Sequence, residues 1–381
     1  MTEQTEQEIK RNPIAFGDLR GWIKALRKEG EIAEIDSEVN WDIELGNIIR
    51  MGQGTGHGPA FLFKNIKDYN HSDSLSTQVF TGGQGSYSRL AMMFGMPRDT
   101  PVRDLVRVCR TIFNEQITPR TVKTGPVKEN ILKGDDIDLL KFPVPKWNRG
   151  DGGRYILTYA GCVTKDPDTD IHNIGIYRGM VLDKDRIGVL LWRAQGWGTH
   201  YAKHMERGDK MPVAFVIGWE PSMGFTGGAP IPRAVSEYDI MGSIRGEPVD
   251  LVDCETVPLQ VPANAEIVIE GWISTDPSTF ESEGPYAEFT GYYAPDRSPK
   301  HVAKITCITH RDQPILRGCV EGAIPGSYGE NPIMSSIQRS ATAWNALESA
   351  GVPGVVDVFG MPIQACVNTI VSIRQTYRGQ A

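Results

Sequence analysis

The chain has 381 residues, 40% of them apolar and 23% charged, with a net charge of −7. That length exceeds one simple core and predicts two or three domains. The mild acidity argues against nucleic acid, whose binders carry a basic surface. Met1 to Asn12 holds no apolar signal core and no run of 18 apolar residues occurs, so no membrane partner is expected. The six cysteines, none spaced as C-x-x-C, fit reduced thiols and a cytoplasmic location.

Phe16, Leu19, Trp22, Ile23 and Leu26 recur at helical spacing, and Gly30 supplies a stop. A short strand is predicted at 31–35 and an apolar run at 60–66. Thr100 is placed to cap a helix carrying Val102, Leu105, Val106, Val108 and Ile112. Residues 1–121 therefore read as an α/β lobe. The Pro-, Lys- and Asp-rich stretch from Val122 to Trp147 reads as a connector.

Strands dominate from Tyr155 to Thr309, at 155–163, 174–182, 187–191, 213–218, 267–274 and 302–309, with a hairpin turn at Asp183-Lys184-Asp185. Helices are predicted near 200–207 and 236–246. A barrel-like β domain with helical insertions follows for residues 122–325. From 326 the pattern returns to α/β, with a helix at 334–350 and strands near 355–359 and 367–373. The fold class is α/β (α+β). The last strand leads straight towards Ala381, so the natural chain is expected to continue.

Three clusters carry chemistry. In Ser282–Tyr293, Glu283 and Glu288 flank a Gly-Pro pair among aromatics. They are either two solvated loop glutamates or acids held in a partly apolar pocket, where Phe289, Tyr286 and Tyr292 would favour a protonated carboxyl. Arg178, closing an apolar strand, is either a bidentate carboxylate clamp or a strand-end arginine lying over its neighbours. Asn173 lies five residues before it, so a flat strand points the two to opposite faces unless Gly175 twists or bulges the strand. Ser236 reads as a helix N-cap with Glu237 and Asp239 in the first turn. Alternatively, the preceding Gly227-Gly228-Ala229-Pro230 lets backbone approach a phosphate, and Glu237 binds a divalent ion.

Asn173–Arg178, Val235–Glu237 and Glu283–Glu288, in this order and at these separations, resemble the UbiD family of prenylated-FMN-dependent decarboxylases. The likeness runs from the opening helix, through Gly58–Ile66, to Ala381. It implies a central split β-barrel that binds the cofactor, followed by the beginning of an α/β oligomerisation domain. It implies that Arg178 grips the substrate carboxylate and pairs with Glu283, and that Glu288 supplies the proton replacing CO2. Asn173 and Glu237 would hold Mn2+ at the cofactor phosphate, with K+ nearby. Ile176, Tyr177 and Arg178 would line the modified flavin, with Gln195 and Arg374 as further cofactor contacts. The family's histidine metal ligand is displaced here; His200 is the candidate and His204 its rival. The implied partners are a small carboxylic acid, CO2, a flavin prenyltransferase that supplies the cofactor, and a second copy of the chain in a homodimer or larger assembly. Competing readings are an ordinary FMN-dependent split-barrel oxidoreductase and a non-catalytic subunit of a carboxylase complex.

Overall fold

The computed structural model describes residues 9–54, 56–294, 297–322, 328–362 and 368–380. Asp18 caps α1 (Leu19–Lys28), accepting from the Gly21 amide, and Leu19, Trp22, Ile23 and Leu26 form the buried stripe of the helix. Phe16 precedes the helix and packs edge-on against Trp22. β1 (Ile32–Ile35) leads through α2 (Glu44–Gln53) to a parallel partner, β2 (Ala60–Phe63), and β3 (Gln78–Thr81) returns antiparallel. Every residue of β2 is buried because the strand has a core on each side. Ala60 and Leu62 face one core, and Phe61 and Phe63 the other, as the two-residue period of a strand requires. α3 (Tyr87–Met93) and α4 (Val102–Ile112) cover the first of those faces. Thr100 is not the cap of α4: Pro101 holds that position, and the Thr100 hydroxyl donates to Pro97 O at 2.6 Å.

β4 (Arg120–Thr121) and β5 (Asn130–Lys133) border and interrupt the expected connector. Then come β6 (Tyr155–Leu157), β7 (Gly161–Lys165), β8 (His172–Ile176), β9 (Gly179–Asp183), β10 (Arg186–Val189), α5 (Gly196–Arg207) and β11 (Met211–Ile217). These are followed by α6 (Pro221–Gly227), α7 (Glu237–Arg245), β12 (Asp250–Asp253), β13 (Gln260–Pro262), β14 (Ile267–Ile273), β15 (Glu281–Glu283) and β16 (Ser298–His310). Eight strands form one antiparallel path, β6-β9-β10-β16-β14-β11-β7-β8. β8 is one end of that path and β9 sits beside the other, yet only Tyr177 and Arg178 separate them in sequence. So short a link brings the two edges together, and the sheet curls into a nearly closed barrel. β5 pairs with the end of β16 and fastens the connector to the barrel wall.

The strands predicted at 155–163 and 174–182 are each two strands, broken at 158–160 and at Tyr177-Arg178. Their apolar residues run on across the breaks, because the links are buried or half-buried as well. The turn at 183–185 joins β9 to β10 as an antiparallel hairpin. α6 was not foreseen; Pro221 opens it at a position where a missing N–H is harmless.

β17 (Ile315–Arg317) leaves the barrel and adds parallel to β3, so the first sheet draws on two distant parts of the chain. α8 (Glu330–Ser349) packs against α4 and against β18 (Val355–Gly360), which pairs antiparallel with β19 (Thr369–Ile373). The predicted strand start at Val367 and the expected boundary at 325/326 lie outside the described residues. Among the described residues, no helix is long and apolar enough to cross a membrane. Cys109, Cys162, Cys254, Cys307 and Cys319 are free thiols.

Candidate active site

The first cluster forms where the β8–β9 link meets β15. Arg178 is 9% exposed and Glu283 1%. The Arg178 guanidinium donates from Nη2 to Glu283 Oε2 at 2.7 Å and from Nη1 to Glu288 Oε1. Glu283 Oε1 in turn accepts the Tyr155 hydroxyl at 2.7 Å. Both carboxylates of the sequence cluster therefore hold one guanidinium, and the solvated-loop reading is excluded. Burial works to lower the Arg178 pKa, but hydrogen bonding to Glu283 and the charges of both glutamates outweigh it and raise the value. Burial pushes the Glu288 carboxyl above the ordinary range, Arg178 opposes that, and the neighbouring Glu283 charge adds to it. An acid so placed can retain a proton for transfer. Tyr286, 3% exposed, supplies the apolar wall, with its ring 5.4 Å from the Arg178 guanidinium carbon. Tyr292 does not: it turns outward and is 72% exposed.

The parity difficulty between Asn173 and Arg178 is resolved without a bulge. β8 pairs with β7 in unbroken register from His172 to Ile176. The chain simply leaves the sheet after Ile176, so Arg178 is not bound by strand alternation. Gly175 makes room instead: a β-carbon there would lie 2.2 Å from the Tyr177 hydroxyl oxygen. The Tyr177 ring stacks on Trp197, with centroids 4.1 Å apart.

The second cluster sits at the opposite end of β8. Asn173, His200 and Glu237 line one enclosed cavity of about 30 Å³, with Asp166, His172, Gly196 and Arg233 also on its walls. Ser236 caps α7 as predicted, its side chain accepting from Tyr238 N. The cap aims Glu237 back at β8, where Oε2 accepts from Ile174 N at 2.8 Å. Burial raises the Glu237 carboxyl to about 8. The Asn173 Nδ2 is buried without a hydrogen-bond partner. Thr164 Oγ1 lies 2.9 Å from His200 Nδ1, and burial lowers that imidazole to about 4, so it is neutral and fit to be a ligand at pH 7. His204 pairs with Asp209 at 2.6 Å and is not on the wall of this cavity. Among the described residues, no three His, Cys, Asp or Glu side chains converge on a metal position. The candidate set nevertheless suits one ion: a buried carboxyl, a neutral imidazole and a side-chain carboxamide around one small cavity.

Gly227 is the last residue of α6, not part of an open loop, and it abuts Ile176: a β-carbon there would lie 3.3 Å from Ile176 Cδ1. Gly228 is the C-cap, and Ala229 N donates to Thr226 O, so Ala229 and Pro230 continue from the helix end. Gln195 is the N-cap of α5; its Oε1 accepts from Trp197 Nε1 at 3.1 Å and Trp192 N at 3.3 Å. Arg374 is exposed after β19 and shares no described hydrogen bond or cavity with the other candidates.

Sequence reading missed Tyr155, Asp151, Asn148, Arg50 and Arg233. The run Asp151-Gly152-Gly153-Arg154-Tyr155 was the available signal, a carboxylate and a tyrosine around a glycine pair. Asp151 is 3% exposed, and burial raises its carboxyl to about 6.

The 3-octaprenyl-4-hydroxybenzoate carboxy-lyase N-terminal domain matches residues 23–109, and the Rift-related domain of the same enzymes matches 120–324. The chain belongs to the UbiD family of carboxy-lyases. It is 34% identical over 355 residues to a pyrrole-2-carboxylic acid decarboxylase of Pseudomonas aeruginosa, covering 91% of this chain and 68% of that protein. It is 33% identical over 376 residues to a phenolic acid decarboxylase of Bacillus subtilis, covering 97% and 76%. The solved UbiD-class enzyme HmfF of Pelotomaculum thermopropionicum, in complex with prFMN, superposes with a TM-score of 0.84 at 30% identity, covering 96% and 80%. The vanillic acid decarboxylase of Sedimentibacter hydroxybenzoicus in its closed form gives 0.86 at 30% identity, covering 95% and 75%.

Proposed function

We propose that this protein is a reversible, non-oxidative decarboxylase of an aromatic, heteroaromatic or α,β-unsaturated carboxylic acid that uses prenylated FMN. The observation that carries the reading is the buried Arg178 guanidinium held between Glu283 and Glu288. Arg178 orients the substrate carboxylate through its planar fork. Glu283, itself fixed by Tyr155, keeps that fork in place. Glu288 donates the proton that takes the position of CO2, and in the reverse direction it accepts it. A prenylated flavin bound beside them would supply the sink for the electron pair that departing CO2 leaves behind.

Ile176, Tyr177 and Arg178 line the proposed flavin position. Gln195, Gly227, Gly228, Ala229, Pro230 and Arg374 are the further proposed contacts. Asn173, His200 and Glu237 would hold Mn2+ against the cofactor phosphate, with K+ nearby. The acids handled by the relatives, pyrrole-2-carboxylic, phenolic and vanillic, favour a flat aromatic or heteroaromatic substrate. The proposal includes units at 1–121, 122–325 and 326–381, a homo-oligomer in the cytoplasm, and a flavin prenyltransferase as cofactor supplier.

The test is co-expression with a flavin prenyltransferase and purification without oxygen. The mass of the released cofactor and the Mn2+ content are then measured, followed by exchange of 13C-bicarbonate into pyrrole-2-carboxylate and vanillate. Prenylated FMN, stoichiometric Mn2+ and exchange are expected. Plain FMN with NAD(P)H oxidation and no exchange would overturn the reading.

A further inference from the structure

The loop that carries Glu288 is held from below by a buried network that the reaction itself does not use. Asp151 Oδ1 accepts from Ala287 N at 3.0 Å, immediately before Glu288. Its Oδ2 accepts from Asn148 N at 2.9 Å and Asn148 Nδ2 at 3.3 Å. Gly152 N donates to Pro285 O at 2.7 Å, so the same turn grips the loop twice. Arg50 braces the turn. Its Nε donates to Asn148 Oδ1 at 3.1 Å, while Nη1 and Nη2 donate to Gly322 O at 2.6 Å and Glu321 O at 2.5 Å. Gly322 is pressed against the loop: a β-carbon there would lie 2.5 Å from Ala287 Cβ.

We infer that Asp151, braced by Arg50, is a positioning residue that sets the reach of Glu288 towards Arg178 by fixing the backbone of Ala287. The inference rests on the proposed role of Glu288. A hydrogen bond from an amide to a buried carboxylate is stronger than one to a neutral acceptor. Loss of the carboxylate therefore frees the residue next to the proton donor while Arg178 and Glu283 stay paired.

Cofactor-loaded wild type is compared with Asp151→Ala, Asp151→Asn and Arg50→Met by hydrogen–deuterium exchange. Turnover of pyrrole-2-carboxylate or vanillate is measured alongside. In Asp151→Ala, exchange at Ala287 and Glu288 should rise about tenfold or more, with β14 unchanged, and kcat should fall by a similar factor while KM stays within about twofold. Asp151→Asn, which retains an acceptor for Ala287 N but not the charge, should recover part of both effects and remains the test if Asp151→Ala does not fold. Arg50→Met should raise exchange at the same two amides, and its effect should not add to that of Asp151→Ala. Unchanged exchange at Ala287 in a folded Asp151 variant would overturn the inference, as would raised exchange with wild-type kcat. If wild type turns over neither acid, the proposed function fails for those acids, and the exchange measurement alone decides whether Asp151 anchors the loop.

Discussion

A β-carbon on Gly196 would fall 1.8 Å from the Asn173 carboxamide oxygen, so the first residue of α5 leaves space that the end of β8 fills. Gly196→Ala must push Asn173 aside. The expected result is a folded protein whose Mn2+ affinity is lower by about tenfold or more, the size of effect that follows when a ligand's supporting shell is disturbed. Metal analysis after dialysis, with circular dichroism as the fold control, checks it.

Glu237 is 6% exposed and has no cation among its described contacts. In the proposed metal site a divalent ion would supply that counter-charge. Mn2+ at a hundred times its Kd should stabilise wild type by about 2.7 kcal/mol. Glu237→Gln should gain almost nothing from the same addition. Thermal unfolding with and without Mn2+ separates the two, and an equal gain in both proteins would remove Glu237 from the metal site.

Arg178 neutralises two carboxylates, one of them wholly buried. Removing one member of such a buried pair costs about 3–5 kcal/mol, because the other is left charged and unmatched. Arg178→Ala should therefore lower the urea midpoint as well as abolish turnover. Arg178→Lys keeps the charge but loses the planar fork. It should restore most of the midpoint without restoring activity.

Glu288 holds its proton to higher pH than an ordinary carboxyl, chiefly through burial. As a donor it works only while protonated, so decarboxylation should decline as pH rises through its pKa. Glu288→Gln should bind flavin normally, lose turnover by about 10²-fold or more, and lose that basic limb. Rate against pH for both proteins is the measurement.

Elements with strong local signals were legible in the sequence. The stripe of α1 and the Ser236 cap that aims Glu237 follow from spacing and residue type within one turn. The strand breaks at 158–160 and 177–178 were not, because the links are nearly as buried as the strands, and hydrophobicity reports burial before it reports hydrogen bonding. The pairing of Arg178 with Glu283 and Glu288 depends on contacts more than a hundred residues apart, and the motif resemblance brought it forward where periodicity could not. Tyr155 and Asp151 were passed over for a related reason. Asp151 acts on the acidic loop from a turn and Tyr155 from the start of β6, and only the fold reveals what faces them.

The unbroken run from Asn173 to Arg178 works as a ruler. The small cavity opens at one end and the paired acids gather at the other, and no loop of adjustable length lies between them. Five residues of chain span at most about 18 Å, so the gap between the cavity and the paired acids is bounded by covalent geometry. An insertion or deletion within 173–178 would alter that gap even if every side chain at both ends were retained.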